Sequence, residues 1–546
     1  MDVRCSMFLK KRTKYARTLK VEEESSLPAK CQKMLFQMGK LVKYSPNLDL
    51  NKSSGLAPLK LSKLQKGIKL FKSVKSIKLP DRLDDQYFNL SITLLKQCKN
   101  LTSFASCLPA LKPITPEKKS QFKSKENFIS DLLRKKLKII HFSAGDNCIG
   151  IPFTEYPSTL QEITYQFNPD ILRPFPTNFL TYYQVFSHMK NLKHLNLSIA
   201  AYARILSQML SSIPNPNNLE SLGFFIGTVT ETDPECIPAL ISSLKLFKNL
   251  KRLKIIFANP EIVIDILKVF TNQPLEFLEL EAGLDDEDTL SSLGIFLGNL
   301  KSLKHLVIKM KNEAEIYVPK AYISLFQHIS ELTQLRTFEF FIGNSEAYPE
   351  GEPDGSEVIS AFSDCLNTLP QLKELSFQFL NKNSCSDLSN LSILTQSLKK
   401  NCQNLTKFQL YLRTKNMNKN QAFTEFLQTL SRMDKLGELT LSGLIIKNEN
   451  LLIDLLETVY NLQNLRTIIL ENDITIKKEV FFEMLIKVAL KKKTEILNVH
   501  NAFSFKRFKL PQSLITFQGI QRRNPNLITF SVHPAPVHSS ILPELL

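Results

Sequence analysis

The sequence predicts an α/β fold in which short parallel strands and helices alternate along a solenoid. The first observation is a Leu-x-x-Leu-x-Leu pattern that recurs at intervals of about thirty residues, a spacing typical of repeat arrays. The second is that the segments between these copies carry apolar residues at helical spacing. The clear copies of the pattern begin at Leu192, Leu219, Leu250, Leu275, Leu303, Leu335, Leu372, Leu405, Leu436, Leu465, Thr494 and Leu527.

Each copy predicts one strand followed by one helix. Apolar residues alternate along the Leu-x-x-Leu-x-Leu segment, as expected for a strand with a buried side. Residues at spacings of three and four follow it, for example Phe423, Phe426, Leu427 and Leu430. A unit this small buries apolar surface only against its neighbours, so the repeats must stack into one core. Because helices are about 10 Å wide and strands about 4.8 Å apart, the stack should curve with its strands on the concave side.

Weaker copies extend the array towards the N-terminus. They begin at Val74, Leu101, Leu137 and Leu160. The repeats are weak up to about residue 190 and clear from there on. The predicted divisions are a basic N-terminal segment over 1–44, a repeat array over 45–533 with its clear repeats at 192–533, and a C-terminal tail over 534–546.

Composition narrows the class of protein. Hydrophobic residues make up 43% and charged residues 22%, as in ordinary folded proteins, and no run of about 18 apolar residues predicts a membrane span. The basic start lacks the apolar core of a secretory signal, and acids at Asp2 and 22–24 disfavour an organelle presequence. Nine cysteines without a Cys-x-x-Cys pair argue against disulfides and a zinc site. We therefore expect an intracellular protein, cytoplasmic or nuclear.

The pattern resembles that of the leucine-rich repeat family over roughly residues 74–533. Repeats of about thirty residues with a full helix are most similar to its ribonuclease-inhibitor-like subclass, and degenerate copies rich in Lys, Asn and Phe resemble protist families. The resemblance implies a horseshoe-shaped solenoid. The family usually carries Asn or Cys eight residues after the leading Leu, and this chain does not. Those positions hold Ala200, Gly227, Ala258, Gly283, Lys311, Gly343, Leu380, Arg413, Leu444, Asp473 and Ala502.

Motifs of enzymes are missing from the sequence. It contains no Walker-type phosphate loop, no dinucleotide-binding glycine fingerprint, no zinc-protease or esterase motif and no kinase signature. The eight histidines are dispersed, whereas a metal site needs ligands within a few ångströms of each other. We therefore predict no catalytic residue, no metal site and no cofactor.

The concave face is the first candidate binding surface. The fourth and sixth residues of each copy should face the core, so the third, fifth and seventh should face the hollow. Apolar and aromatic residues there, bordered by charges, are typical of protein interfaces, although the rings could instead pack only on each other or on loops. By the same rule, Val307, Thr337, Ser376 and Tyr411 should also face the hollow. The predicted partner-binding residues are Phe225, Arg252, Lys254, Ile256, Phe277, Glu279, Glu281 and Phe341.

Acidic residues cluster in loops that follow the strands in alternate repeats. Equivalent loops share one rim, and an acidic rim attracts a basic partner and speeds its association. Two other interpretations stay open: acids near helix N-termini complement the helix dipole, and acidic loops are often only solvated. The predicted acidic rim consists of Asp285, Asp286, Glu287, Glu346, Glu350, Glu352 and Asp354.

Positive charge is concentrated near the N-terminus. Residues 1–80 hold 19 lysines and arginines against 5 acids, a net charge of +14 out of +18 for the chain. Four interpretations of this segment stay open: contact with nucleic-acid phosphates, contact with an anionic membrane, a nuclear import signal, or solubilising charge that caps the first repeat. Its predicted centre is a helix near 58–71 that carries Lys60, Lys63, Lys66 and Lys69.

These features favour a non-enzymatic scaffold that binds a protein partner through its concave face and acidic rim. One alternative is an F-box-like substrate receptor of a ubiquitin ligase, whose box would have to begin within 25–41. The other is an electrostatic binder of nucleic acid or membrane surfaces that uses residues 1–80, although no base-reading fold accompanies that segment.

Overall fold

The structure is a computed structural model that divides into two compact units, unit 1 (Met1–Ile256) and unit 2 (Phe257–Leu546). The structure describes residues 18–20, 47–49, 75–78, 98, 100–108, 137–144, 159–167, 186–201, 203–226, 235–257, 262–283, 287–310, 319–342, 356–379, 389–401, 403–412, 421–443, 449–472, 479–491, 493–501 and 529–534.

Among its described residues, unit 1 contains parallel strands and, between the last of them, helices. From β1 to β8, each strand pairs in parallel with the next one along the chain. The helices described are α1 (Ala203–Ser211), a 3₁₀ turn (Pro216–Asn218) and α2 (Cys236–Leu244). The strands are β1 (Thr18–Lys20), β2 (Asn47–Asp49), β3 (Ser76–Lys78), β4 (Ser103–Leu108), β5 (Ile139–Ala144), β6 (Glu162–Phe167), β7 (His194–Ala201), β8 (Ser221–Ile226) and β9 (Arg252–Phe257).

Unit 2 alternates strictly between helix and strand over most of its length. From β10 to β18, each strand again pairs in parallel with the next. The strands are β10 (Phe277–Ala282), β11 (His305–Met310), β12 (Thr337–Ile342), β13 (Glu374–Phe379), β14 (Lys407–Leu412), β15 (Glu438–Ser442), β16 (Thr467–Asn472), β17 (Ile496–Asn501) and β18 (Thr529–Pro534). The helices are α3 (Val263–Lys268), α4 (Glu287–Gly298), α5 (Pro319–Ile329), α6 (Ser356–Leu366), α7 (Ser389–Asn401), α8 (Gln421–Leu430), α9 (Glu449–Asn461) and α10 (Glu479–Leu490).

Alternation along each strand separates a buried side from a partly exposed one. We call the second, fourth and sixth strand positions the back face and the first, third and fifth the front face. The prediction that the fourth and sixth residues of the repeat enter the core is confirmed, because these are the second and fourth strand positions. In unit 2 they are at most 1% exposed at Leu278, Leu280, Leu306, Ile308, Phe338, Phe340, Leu375, Phe377, Phe408, Leu410, Leu439, Leu441, Ile468 and Leu470.

The helices pack against the back face. In the middle of unit 2 the contacts are aromatic: the ring centroids of Phe326 on α5 and Phe340 on β12 lie 4.9 Å apart. Phe362 on α6 stacks on Phe377 of β13 at 3.9 Å and contacts Phe326 at 5.3 Å. Such ring pairs contribute beyond the burial of their area. The predicted α/β leucine-rich repeat solenoid is therefore the observed fold.

Backbone hydrogen bonds at the start of each strand tie successive repeats together. The carbonyl of Glu276 accepts from the amides of Lys304 and His305 at 2.9 and 3.0 Å, and the carbonyl of Lys304 accepts from Arg336 and Thr337 at 2.7 and 3.1 Å. The same doubled contact recurs from Lys75 in unit 1 and as far as Arg466 in unit 2. Main-chain groups thus supply an inter-repeat ladder at this end of the strands, which does not depend on the Asn or Cys that the sequence lacks.

Four cysteines lie among the described residues, and three of them, Cys98, Cys236 and Cys365, are buried thiols that form no disulfide. Burial raises the pKa of the Cys365 thiol well above its ordinary value, which keeps it protonated and unreactive at neutral pH. Within the described residues, no helix combines the length and apolarity needed to cross a bilayer.

Candidate protein-binding surface

Strand register arranges the front face of β10–β14 into three rows that run across the strands. The first row is Phe277, His305, Thr337, Glu374 and Lys407. The second row is Glu279, Val307, Glu339, Ser376 and Gln409. The third row is Glu281, Lys309, Phe341, Gln378 and Tyr411.

Most of these side chains remain partly exposed, including Phe277, Glu279, Glu281 and Phe341. Three residues that the alternation rule displays are buried instead: Val307 at 7%, Thr337 at 6% and Ser376 at 1% exposure. All three are short, and each lies in its row between longer side chains of the flanking strands. The rule therefore assigns the face correctly but overestimates the exposure of small residues on it.

Two lysines of the front face are paired with glutamates. Lys309 Nζ lies 2.8 Å from Glu279 Oε1, and the Glu279 side chain is only 14% exposed. Lys407 Nζ on β14 lies 3.1 Å from Glu339 Oε1 on β12, so this lysine reaches across β13, where the row position holds the small Ser376. Sequence alternation placed Glu339 and Lys309 on this face but did not reveal either pair.

A hydrogen-bonded chain crosses the first row. The Thr337 hydroxyl donates to Glu374 Oε2 at 3.3 Å, and its oxygen lies 2.9 Å from His305 Nδ1. Because the hydroxyl hydrogen is used towards the carboxylate, the contact with His305 requires the tautomer that carries a proton on Nδ1. The His305 ring is also 6.2 Å from that of Phe277. These contacts fix the orientation of the side chains in this row.

Charge on the front face is negative. Strands β10–β15 carry five glutamates at front-face positions, against two lysines that are both paired, which leaves a net charge of −3. The glutamates are Glu279, Glu281, Glu339, Glu374 and Glu438, and the lysines are Lys309 and Lys407. A positively charged partner segment would therefore be attracted to this face.

The apolar and aromatic residues predicted on the concave face do not all lie in one row of the front face. Phe277 lies in the first row, whereas Phe341 and Tyr411 lie in the third, two strands apart with Gln378 between them. In unit 1, Phe225 and Ile256 hold the fifth position of β8 and β9 and are partly exposed. Arg252 is exposed and Lys254 partly exposed, both on β9.

Most of the predicted acidic rim lies outside the described residues. Glu287 is described: it begins α4, is exposed and shares the first helical turn with another acid, Asp288. That position is favourable for the helix dipole. The other predicted rim residues, Asp285, Asp286, Glu346, Glu350, Glu352 and Asp354, lie outside the described residues, as do Lys60, Lys63, Lys66 and Lys69 of the basic segment and the F-box-like stretch 25–41.

In the part of the chain that the structure describes, no three side chains from His, Cys, Asp and Glu come together as they would around a metal ion. The front face offers partly exposed aromatic rings and paired charges, a set of groups suited to recognition.

No protein-family model matches the chain, and no curated protein matches it. The chain is similar to the crystal structure of an internalin from Listeria monocytogenes, at 13% identity and a TM-score of 0.26, covering 88% of this chain and 99% of the other. It is also similar to the crystal structure of the Rad7 and Elc1 complex in yeast, at 14% identity and a TM-score of 0.42, covering 93% and 95%.

Proposed function

We propose that this protein is a non-enzymatic scaffold that binds a protein partner on the front face of β10–β14. The observation that carries the proposal is the composition of that face: glutamates outnumber lysines, both lysines are already neutralised, and aromatic rings lie among them. An acidic surface with aromatic anchors fits a partner segment that is basic and partly apolar. Glu281 and Phe341 are the central residues of this proposal.

The pairs on this face favour binding over simple solvation. The two paired lysines do not reverse the sign of this face, whose glutamates outnumber its lysines, so the local field is negative. The chain through Thr337 holds Glu374 in one place, which lowers the entropy that a partner must offset on binding. Rigid, preorganised groups are what a recognition surface requires.

Two finer assignments belong to the same proposal. We infer the ribonuclease-inhibitor-like subclass, of protist type, because repeats of about thirty residues carry full helices such as α7, which has 13 residues. We also infer that residues 45–533 form the array and that the protein acts inside the cell, in the cytoplasm or nucleus. The acidic rim is proposed to extend the same binding surface.

The test is affinity purification of the tagged full-length protein and of Phe277→Ala/Phe341→Ala. A matched control, Leu246→Ala/Ile295→Ala, removes two apolar side chains that are 41% and 56% exposed on or beside helices. We expect one stoichiometric protein to be lost from the front-face variant and retained by the control, with unchanged circular dichroism for both. Loss of the partner from both variants, or unfolding of the front-face variant alone, would refute the assignment.

The two alternatives from the sequence remain predictions. An F-box-like role predicts copurification with a Skp1-like adaptor that deletion of 25–41 abolishes. An electrostatic role of residues 1–80 predicts binding that falls steeply with salt and disappears when that segment is deleted.

A further inference from the structure

The segments that join each helix to the next strand of unit 2 are strongly basic. From the connection before β11 to the one before β17, with the last turn of α7 included, their described residues hold eleven lysines and arginines against three acids, Glu331, Asp434 and Glu495. We call this surface the basic edge, and its cations are Lys301, Lys304, Arg336, Lys373, Lys399, Lys400, Arg432, Lys435, Arg466, Lys491 and Lys493.

This charge is segregated within its unit. Residues 257–546 contain 30 lysines and arginines against 33 aspartates and glutamates, a net charge of −3. The basic edge, in contrast, carries +8 by the count of its described residues. Six of its seven connections hold at least one cation and the last turn of α7 supplies two at the seventh, so the charge extends over about 29 Å at a strand spacing of about 4.8 Å.

Three of the cations form a row on consecutive strands. The amide of Arg336 donates to the carbonyl of Lys304 at 2.7 Å, and the amide of Lys373 donates to that of Arg336 at 2.8 Å. Their side chains therefore start about 4.8 Å apart. Lys304 is paired with Glu276 at 3.0 Å, whereas Arg336 and Lys373 are exposed. Adjacent like charges cost stability unless a counterion or ligand neutralises them.

Helix stabilisation accounts for some of these cations but not for the row. Lys491 donates to the carbonyls of Tyr460 and Leu462 at the end of α9, and Lys399 and Lys400 lie in the last turn of α7. Arg336 and Lys373, however, lie at the strand starts, beyond the last turns of α5 and α6. The favourable effect of the helix dipole falls off within one turn, so it does not explain them.

We propose that the basic edge binds the phosphate backbone of a nucleic acid. Exposed amide and hydroxyl side chains, such as Gln371, Asn404 and Thr406, accompany the cations and are typical phosphate and sugar contacts. Among the described residues, the large apolar side chain exposed beside this edge is Tyr460 near the end of α9, at 43%, and an acidic protein would need more anchors than one. Phosphate contacts bind through counterion release without such anchors. The edge therefore reads charge rather than base sequence.

The test measures binding of a labelled, mixed-sequence 20-nucleotide single-stranded DNA to the full chain as salt is varied. Arg336→Gln/Lys373→Gln removes two phosphate contacts, so the slope of log affinity against log salt should fall by about 1.4, and affinity at 0.1 M salt by about 25-fold. The matched control is Arg204→Gln/Lys320→Gln, an arginine and a lysine that are both exposed and lie in the first turns of α1 and α5. It should bind as the natural sequence does. Arg336→Lys/Lys373→Arg, which keeps both charges, should also retain binding.

Several results would overturn the proposal. One is an equal loss of affinity in the edge and control variants, and another is an unchanged salt slope in the edge variant. Edge-dependent binding of a polyglutamate peptide or of phosphatidylserine vesicles, without binding of the oligonucleotide, would assign the edge to an acidic protein or to a membrane. Matching thermal unfolding curves of the variants show that the comparison concerns binding and not folding.

Discussion

The back and front faces of strands β10–β16 come from alternate residues of the same strands, yet they obey different constraints. The second and fourth strand positions, which lie on the back face, are apolar in every repeat and essentially inaccessible to solvent. Front-face positions change from repeat to repeat, from Phe277 to Lys407, and hold the ion pairs. Packing dictates the first face, because a polar group there would lose its hydration. The second face is free to carry specificity.

The largest loss of stability is expected from a substitution where the back face packs against the helices. Phe362→Ala removes a ring that is stacked at 3.9 Å on Phe377, and such truncations cost about 3–5 kcal/mol. We expect a loss of this size in equilibrium urea unfolding. Ile295→Ala, at a side chain that is 56% exposed, serves as the control and should change stability by less than about 0.5 kcal/mol. A loss below about 1 kcal/mol for Phe362→Ala would show that the aromatic cluster is not the core of unit 2.

A smaller loss of stability is expected from a substitution at the contact between helices α4 and α5. A Cβ atom at Gly294 of α4 would lie 2.9 Å from His328 Cδ2 and 3.2 Å from the Cα of Leu325 on α5. Gly294→Ala should therefore force the helices apart and cost about 1–3 kcal/mol, despite the better helix propensity of alanine. Thermal unfolding of the variant and of the natural sequence measures this loss of stability. Stabilisation of the protein by this substitution would mean that α4 and α5 are not in such close contact.

The front face should contribute little to stability. A double-mutant cycle with Glu339→Gln and Lys407→Met isolates the energy of their ion pair, whose side chains are 20% and 24% exposed. We expect a coupling of about 0.5–1 kcal/mol that decreases in salt. The exposed pair of Asp265 and Lys268, at 60% and 66%, is the comparison and should couple more weakly. A coupling above about 3 kcal/mol would make this face part of the folding core.

The smallest expected change in stability is the pH-dependent contribution of Glu220. The hydrogen bond and charge of Lys193, with a contribution from Lys251, hold the pKa of the Glu220 carboxyl below its ordinary value. Because the folded pKa lies below the unfolded one, the carboxylate stabilises the fold at neutral pH, and this contribution is lost as the pH falls through the folded pKa.

At pH 7, Glu220→Gln should therefore lower the free energy of unfolding by a few tenths of a kcal/mol, since the side chain is 37% exposed. The difference from the natural sequence should shrink as the pH falls below the ordinary carboxyl pKa and through the lower folded pKa. The melting temperature measured across this range checks it. A difference that grows on acidification would reverse the assigned sign.

The same contrast explains what could be predicted from the sequence. Leu278, Phe338 and the other back-face residues follow from period-two alternation, because burial selects residue type directly. The pair between Lys407 and Glu339 could not be predicted, since it joins two strands across a third and depends on a small residue between them. Nor could the burial of Val307, which depends on the length of its neighbours.

The basic edge was missed for a similar reason. Its cations are dispersed along the sequence at one or two per repeat, so they do not form a run as the N-terminal lysines do. Stacking of the repeats brings Lys304, Arg336 and Lys373 onto neighbouring strands. Aligning the repeats and summing the charge at each equivalent position would have revealed it.

The most direct test of the central claim places a photo-crosslinking amino acid, p-benzoylphenylalanine, at position 341 in cells, with the same substitution at 295 as the control. Phe341 is a partly exposed ring of the front face, and Ile295 is an exposed residue of α4. If the front face binds the partner, position 341 crosslinks to one discrete protein that is not crosslinked from 295. A crosslink from position 295 alone would contradict the account and assign partner binding to the helices.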